Sequence, residues 1–193
     1  MAGLSASTFS SPVSAAEFGV RVADPIEHLR HCHQRIERSL VTVENALAGL
    51  CLTEPVLRAE AAAALDYELA LLQLLSDLHI QDEEESLFPR LRNNLSGESE
   101  SLHELLTLLE AQHDEKQAIF GQLANCLYNF PTIEGPAAEE RLDRLERLIG
   151  QLRNIFQPHM TLEDEQLLPI CQRHLTPADL DAMQQEMRRR FRS

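Results

Sequence analysis

Hydrophobic residues recur in this chain at alternating steps of three and four positions, in four long stretches. This spacing places the apolar side chains on one face of a helix, and such a face is typical of helices buried in a bundle. The first stretch follows Asp24-Pro25, an N-cap and a first-turn proline, and the second is expected to end at Pro89. The buried positions of the first stretch are Ile26, Leu29, His33, Ile36, Leu40, Val43, Leu47 and Leu50.

The third and fourth stretches repeat the first and second at a constant offset of 80 positions (113 − 33). Lys116, in place of Ile36, is the one clear break in the matched faces. A duplicated helical pair predicts an all-α fold, an up-down-up-down four-helix bundle whose two similar hairpins are related by a pseudo-two-fold axis. Thr176-Pro177 then begins a short C-terminal helix.

These elements predict three parts in the 193-residue chain. Residues 1–23, rich in Ser and Ala, are expected to form a flexible tail, residues 24–175 the bundle, and residues 176–193 the C-terminal helix. The basic run Arg188-Arg189-Arg190-Phe191-Arg192 is expected to complement the dipole at the end of that last helix.

The net charge, the length of the apolar stretches and the cysteine content limit the functions expected of this protein. The net charge is −14, with 31 acidic and 17 basic residues, and nucleic-acid binding is not expected because phosphate contacts need a positive surface. No stretch approaches the ~20 apolar residues of a membrane span, so no membrane partner is expected. The 4 cysteines form no CxxC motif, and we interpret them as reduced thiols of a cytoplasmic protein.

Polar residues interrupt the buried faces in a repeated pattern. His79 and Glu83 lie four apart and therefore share one helix face, and the same pair recurs 80 positions later. An unpaired buried carboxylate is costly, whereas bound metal ions supply positive charge where such groups converge. The candidate metal ligands are His33, His79, Glu83, His113, His159 and Glu163.

The ligand types narrow the choice of metal. Four imidazoles and two carboxylates without a thiolate disfavour a structural zinc site. Two metals sharing this set would each take two histidines, would share two bridging carboxylates, and would need an oxo or hydroxo bridge. We expect two iron ions about 3.5–4 Å apart, with manganese left open as the alternative metal.

Each element of this pattern also has a simpler interpretation. A single buried histidine is usually hydrogen-bonded in the core, and a lone His-x3-Glu is often a surface pair. A shared register across six positions favours the ligand hypothesis. Glu37 is left open as an auxiliary ligand. The acidic neighbours expected to be solvated are Asp82, Glu84, Glu85, Asp164 and Glu165.

These motifs resemble those of the hemerythrin-like (HHE cation-binding) family. The matching features are lone His33 and His113, the two His-x3-Glu pairs, and the phrases Leu87-Phe88-Pro89 and Leu167-Leu168-Pro169, over about residues 24–171. The resemblance implies a non-haem di-iron centre in a four-helix bundle, bridged by Glu83 and Glu163. Gln117 stands where oxygen-carrying members of the family have a second histidine, one turn after the ligand of the third helix. Those members have an aspartate five residues after the histidine of the fourth helix, whereas here Glu163 lies four residues after His159. Both departures argue against reversible oxygen transport.

Three functions are therefore weighed. The first is a di-iron protein that binds or senses a small ligand such as oxygen or nitric oxide. The alternative is an iron-dependent oxidoreductase, or an iron donor for repair of damaged iron centres. The family's repair proteins carry a cysteine-bearing N-terminal module, whereas here no cysteine precedes Cys32, and this weakens the repair interpretation. The third is a partner-binding bundle with a vestigial polar core. Turnover and oligomeric state are left open.

Overall fold

The computed structural model describes residues 23–51, 54–95, 100–128, 130 and 135–190. Within these ranges the chain is entirely helical apart from turns and short connections, and contains no strand, so the predicted all-α class is confirmed. The tail predicted for residues 1–23 lies outside the described residues, except for Ala23.

Seven α-helices are described. They are α1 (Pro25–Ala48), α2 (Pro55–Gln81), α3 (Phe88–Asn94), α4 (Glu100–Leu127), α5 (Pro136–Leu162), α6 (Leu168–His174) and α7 (Pro177–Arg190). Two π-helical segments, π1 (Asp82–Leu87) and π2 (Glu163–Leu167), join α2 to α3 and α5 to α6 without interruption. A short 3₁₀ turn, Gly49–Cys51, follows α1.

Side-chain caps fix two of the helix starts. The Asp24 carboxylate accepts a hydrogen bond of 2.8 Å from the backbone N–H of Ile26, and this confirms the predicted start of α1. Before α7, the Thr176 hydroxyl accepts from the Asp179 N–H while the Asp179 carboxylate accepts from the Thr176 N–H. This reciprocal capping box satisfies N–H groups that a helix start would otherwise leave open.

Pro89 does not end the second long helix, contrary to the prediction. The chain passes through π1 and continues as α3, and Pro169 is passed in the same way through π2. In an α-helix a proline ring clashes with the carbonyl four residues earlier. The wider π turn relieves that clash, and the Phe88 N–H instead bonds the Glu83 carbonyl five residues back.

Two apolar clusters fill the interior, and the polar pattern lies between them. The large apolar cluster includes Ile36, Leu69, Phe120 and Leu152. The small apolar cluster is built around Leu29, Leu87, Phe88, Leu106, Leu167 and Met187. Along α1 and α4 the chain runs from the small cluster to the large one, and along α2 and α5 from the large to the small. Contacts join α1 to α2, α4 to α5, α1 to α5, and α2 to α4.

The C-terminal helix packs on α1 and on π1. Met183 and Met187 enter the small apolar cluster, while the Arg190 guanidinium donates to Asp82 and Glu85. The basic run therefore does more than complement the helix dipole, because one of its members pairs with a buried carboxylate. No helix in the described ranges combines the length and apolarity that crossing a bilayer requires.

Candidate metal centre

The six residues predicted as ligands come together between the two apolar clusters. His33 lies on α1, His79 on α2, His113 on α4 and His159 on α5. Glu83 is the second residue of π1, and Glu163 is the first residue of π2. All six are buried, and the most exposed, His33, retains 4% of its accessible surface. The helix repeat thus places one layer of polar groups between the two apolar clusters.

Glu163 is the most heavily contacted member of the layer. Its carboxylate lies 2.6 Å from His159 Nε2, 2.7 Å from His33 Nε2 and 3.4 Å from His79 Nε2. Burial by itself raises the pKa of Glu163, but the charge and hydrogen bonds of these histidines outweigh it and hold that pKa well below the ordinary 4.5. Glu163 is therefore an ionised carboxylate that faces three imidazoles.

Glu83 faces the same centre with looser contacts. Its Oε2 lies 3.3 Å from His113 Nε2 and 3.6 Å from His79 Nε2. Both of its carboxylate oxygens are buried, and neither accepts a hydrogen bond of good geometry from the described residues. Buried carboxylate oxygens are rarely left in this state, because desolvation without compensation costs several kcal/mol. Glu83 therefore presents two free acceptor atoms to the centre.

The imidazoles form two matched pairs. His33 Nε2 lies 3.2 Å from His79 Nε2, and His113 Nε2 lies 3.2 Å from His159 Nε2. The rings of each pair are arranged edge to face, with centroids 4.8 Å and 4.9 Å apart. One ligand atom from each of His79, Glu83, His159 and Glu163 lies within 4.8 Å of the others. All four Nε2 atoms consequently point to one small volume.

The opposite ring nitrogens are oriented by outer partners. Asp164 Oδ1 lies 3.1 Å from His33 Nδ1, and Glu84 Oε1 lies 2.7 Å from His113 Nδ1. Gln112 Oε1 lies 2.7 Å from His159 Nδ1. A carboxylate or amide oxygen there makes Nδ1 the protonated nitrogen, so Nε2 keeps its lone pair for a cation. Among these four imidazoles, His79 alone has a buried Nδ1 with no hydrogen-bond partner.

Sequence reasoning identified none of these three outer partners. Glu84 and Asp164 were expected to be solvated and both are exposed, but each carboxylate also contacts a buried histidine of the other helical pair. Each follows a glutamate of the polar layer directly, and the two are 80 positions apart. That shared register was the signal available in the sequence.

Asp82 was also expected to be solvated, and this prediction is wrong. Asp82 is completely buried. Its carboxylate lies 3.1 Å from His28 Nε2 and accepts a 2.7 Å hydrogen bond from Arg190. No sequence signal pointed to this network, because its members come from three separate helical segments and no repeat marks them. Glu37 is exposed and makes no described contact with the six residues.

Hydrogen bonds to carboxylates keep the His33 imidazole protonated. Burial by itself lowers the pKa of His33, but its bonds to Asp164 and Glu163 outweigh that effect and raise the pKa to about 10. The imidazole is thus held as a cation among carboxylates as long as no metal ion is bound to it. A metal ion that bound Nε2 would replace that proton.

A cleft of about 600 Å³ opens beside His33, between α1 and α5. Its wall includes Arg30, Glu37, Met160 and Asp164. The cleft therefore connects solvent to one ligand of the polar layer through a partly exposed carboxylate.

Comparison with known proteins agrees with this donor set. Residues 24–171, well over half of the chain, match the model of the hemerythrin HHE cation binding domain. No curated protein matches the chain significantly.

Proposed function

We infer, from the premise that this chain belongs to the hemerythrin HHE cation-binding family, that its polar layer is a di-iron site that binds or senses oxygen or nitric oxide. The single observation that carries the inference is the Glu83 carboxylate, which is fully buried among imidazole Nε2 atoms while neither of its oxygens accepts a hydrogen bond of good geometry from the described residues. Nitrogen and oxygen donors without thiolate suit iron, and manganese is the alternative metal.

The pairing of the histidines supports a two-ion centre. Two nitrogens bound cis to one ion stand about 3 Å apart when each bond is about 2.1 Å long. The Nε2 atoms are 3.2 Å apart in the His33–His79 pair and in the His113–His159 pair. Each pair would therefore hold one ion, with Glu83 and Glu163 as shared ligands and an oxo or hydroxo bridge to complete the set.

When bound, such a centre supplies redox chemistry and open coordination positions. The chain itself orients the imidazoles through Asp164, Glu84 and Gln112, and keeps bulk water out with the apolar clusters on either side. Phe88 stacks parallel to the His113 ring at 6.2 Å and closes one wall.

The fold and location belong to the same proposal. The alternating order of the two clusters along α1, α2, α4 and α5 supports an up-down-up-down bundle with a pseudo-two-fold axis. The four cysteines are free thiols, as expected of a reducing cytoplasm. We expect no nucleic-acid or membrane partner.

The proposal is tested by iron loading under anaerobic conditions. The wild-type protein should hold two irons per chain and show an absorption band that changes on exposure to oxygen or nitric oxide. His79→Ala should lose most of the iron and the band, because it removes a donor next to both glutamates. His31→Ala is the matched control, since its side chain is 60% exposed and pairs only with Glu27 in the described contacts. Less than one iron per wild-type chain would reject the proposal.

The cleft beside His33 favours iron donation as the second candidate function. The carboxylates of Glu37 and Asp164 line this cleft, which leads from solvent to His33. Carboxylate oxygens are hard ligands that can bind iron as it enters or leaves the centre. A donor should release iron to a competing chelator within minutes, and Glu37→Gln should slow that release. A protein that only binds or senses a ligand should retain its iron in both forms.

A further inference from the structure

Lys116 is a buried cation at the edge of the polar layer. It lies one turn after His113 on α4 and keeps 1% of its accessible surface. Its ammonium nitrogen lies 4.8 Å from the centroid of the Phe156 ring, a cation–π contact. Lysine is almost never buried this deeply without an electrostatic reason.

The charge of Lys116 acts on the polar layer. Burial lowers its pKa to about 8, while the negative charges of Glu163, Glu83 and Glu84 counteract the change. The same ammonium disfavours protonation of His113 and His159. Lys116 therefore contributes a buried positive charge that interacts with both central glutamates.

The other half of the repeat has no such charge. The position that matches Lys116 is Ile36, a fully buried residue of the large apolar cluster. A hydrophobic residue is thus compatible with this place in the fold, and packing alone does not explain the lysine. All three ligand positions are nevertheless filled in each half, so Lys116 does not stand in for a ligand.

The charge balance of a loaded centre, which rests on the proposed function, gives the lysine a role. Glu83 and Glu163 cancel half the charge of two divalent cations and a hydroxo bridge cancels one further unit, so the centre keeps a net positive charge, to which Lys116 adds inside a poorly solvated volume. Excess positive charge in such a volume attracts a small anion strongly and repels further cations.

We propose that Lys116 is a specificity-determining residue that makes the open position of the centre selective for a small monoanion over a neutral ligand. Lys116 lies one turn after His113 on α4 and its ammonium lies over Phe156, one turn before His159 on α5, so its charge flanks two of the proposed ligands and favours a bound anion. The same positive charge repels metal cations, so Lys116 lowers the affinity of the site for metal ions while it raises the affinity for anions.

The test compares Lys116→Met with Ile36→Met. Methionine has a side chain of similar length without charge, and the second variant makes a neutral change at the matched position of the other half. Zinc affinity is measured by chelator competition, and azide and nitric oxide affinities by optical titration of the iron-loaded protein. Lys116→Met should bind zinc about tenfold more tightly and azide about tenfold more weakly, with nitric oxide affinity changed less than about threefold. Ile36→Met should change each affinity less than about threefold.

Opposite changes in metal and anion affinity distinguish this role from damaged folding, which lowers both. Equal azide affinity in Lys116→Met and wild type would overturn the proposal and leave the metal centre intact. Failure of the wild-type protein to take up iron would reject the proposed function itself, and is seen before any azide is added. Lys116→Gln, neutral but polar, replaces the methionine variant if that variant does not fold, with the same expected changes.

Discussion

The two halves of the repeat supply the same ligands but surround them differently. The first half, α1 through α3, and the second, α4 through α6, each give one lone histidine, one His-x3-Glu pair and one π segment. Each also lends a carboxylate to the other, because Glu84 contacts His113 and Asp164 contacts His33. The groups that would contact or orient a metal are thus largely duplicated.

The groups that set charge around the centre are not duplicated. The first half contributes His28 and Asp82 to a buried network that Arg190 of α7 completes, whereas the second half has leucines at the positions that match His28 and Asp82. The second half contains Lys116 where the first has Ile36. The comparison shows that the repeat accounts for the six candidate metal ligands. Residues without a match in the repeat, such as Lys116 and Asp82, change the charge around those ligands or hold a neighbouring helix in place.

The largest expected effect separates the two central glutamates. Glu163→Gln should weaken zinc binding on the order of a thousandfold, because this carboxylate contacts three imidazoles and its charge is lost. Glu83→Gln should weaken it about a hundredfold, since its two histidine contacts are longer. Chelator competition measures both affinities. Equal losses would mean that the two bridges are equivalent despite their different contacts.

The next effect concerns the network found in the first half alone. Arg190→Met should lower the free energy of unfolding of the metal-free protein by about 3 kcal/mol, because it leaves the buried Asp82 carboxylate without its cation. Urea denaturation at pH 7 measures this change. Arg189→Met removes the same charge from an exposed position of α7 and should change stability by less than about 0.5 kcal/mol.

A combined variant then makes the first half resemble the second. His28→Leu and Asp82→Leu, added to Arg190→Met, replace the network with apolar side chains and should recover most of the lost stability. If the triple variant is as unstable as Arg190→Met alone, the network contributes to packing in a way that charge pairing does not describe.

The smallest expected effect tests the duplicated outer carboxylates. Glu84→Gln and Asp164→Asn should each weaken zinc binding about tenfold, because each loses the charged partner of one histidine Nδ1. The two losses should agree within about threefold, since both carboxylates are partly exposed and matched in the repeat. A large loss in one variant and none in the other would show that the halves differ in ligand orientation as well as in charge.

Several features were predictable because local rules or the repeat determine them. The start of α1 follows from Asp24 and Pro25, and the burial of His33 and Glu163 follows from their place in the apolar spacing. The continuation of the helix beyond Pro89 was predicted wrongly. Proline rules describe an α-helix, and the π segment is a change of backbone geometry that the residue pattern did not reveal.

The sequence by itself determined the helical class, the buried faces and the six-residue donor pattern, because helical periodicity and an 80-position repeat are properties of residue order. Only the tertiary structure decided which acidic neighbours are buried and what they contact. Asp82 is enclosed because His28 and Arg190, distant in the chain, close over it, and Glu84 reaches a histidine of another helix. Solvation and electrostatic pairing depend on the distances between helices, and no local pattern encodes those distances.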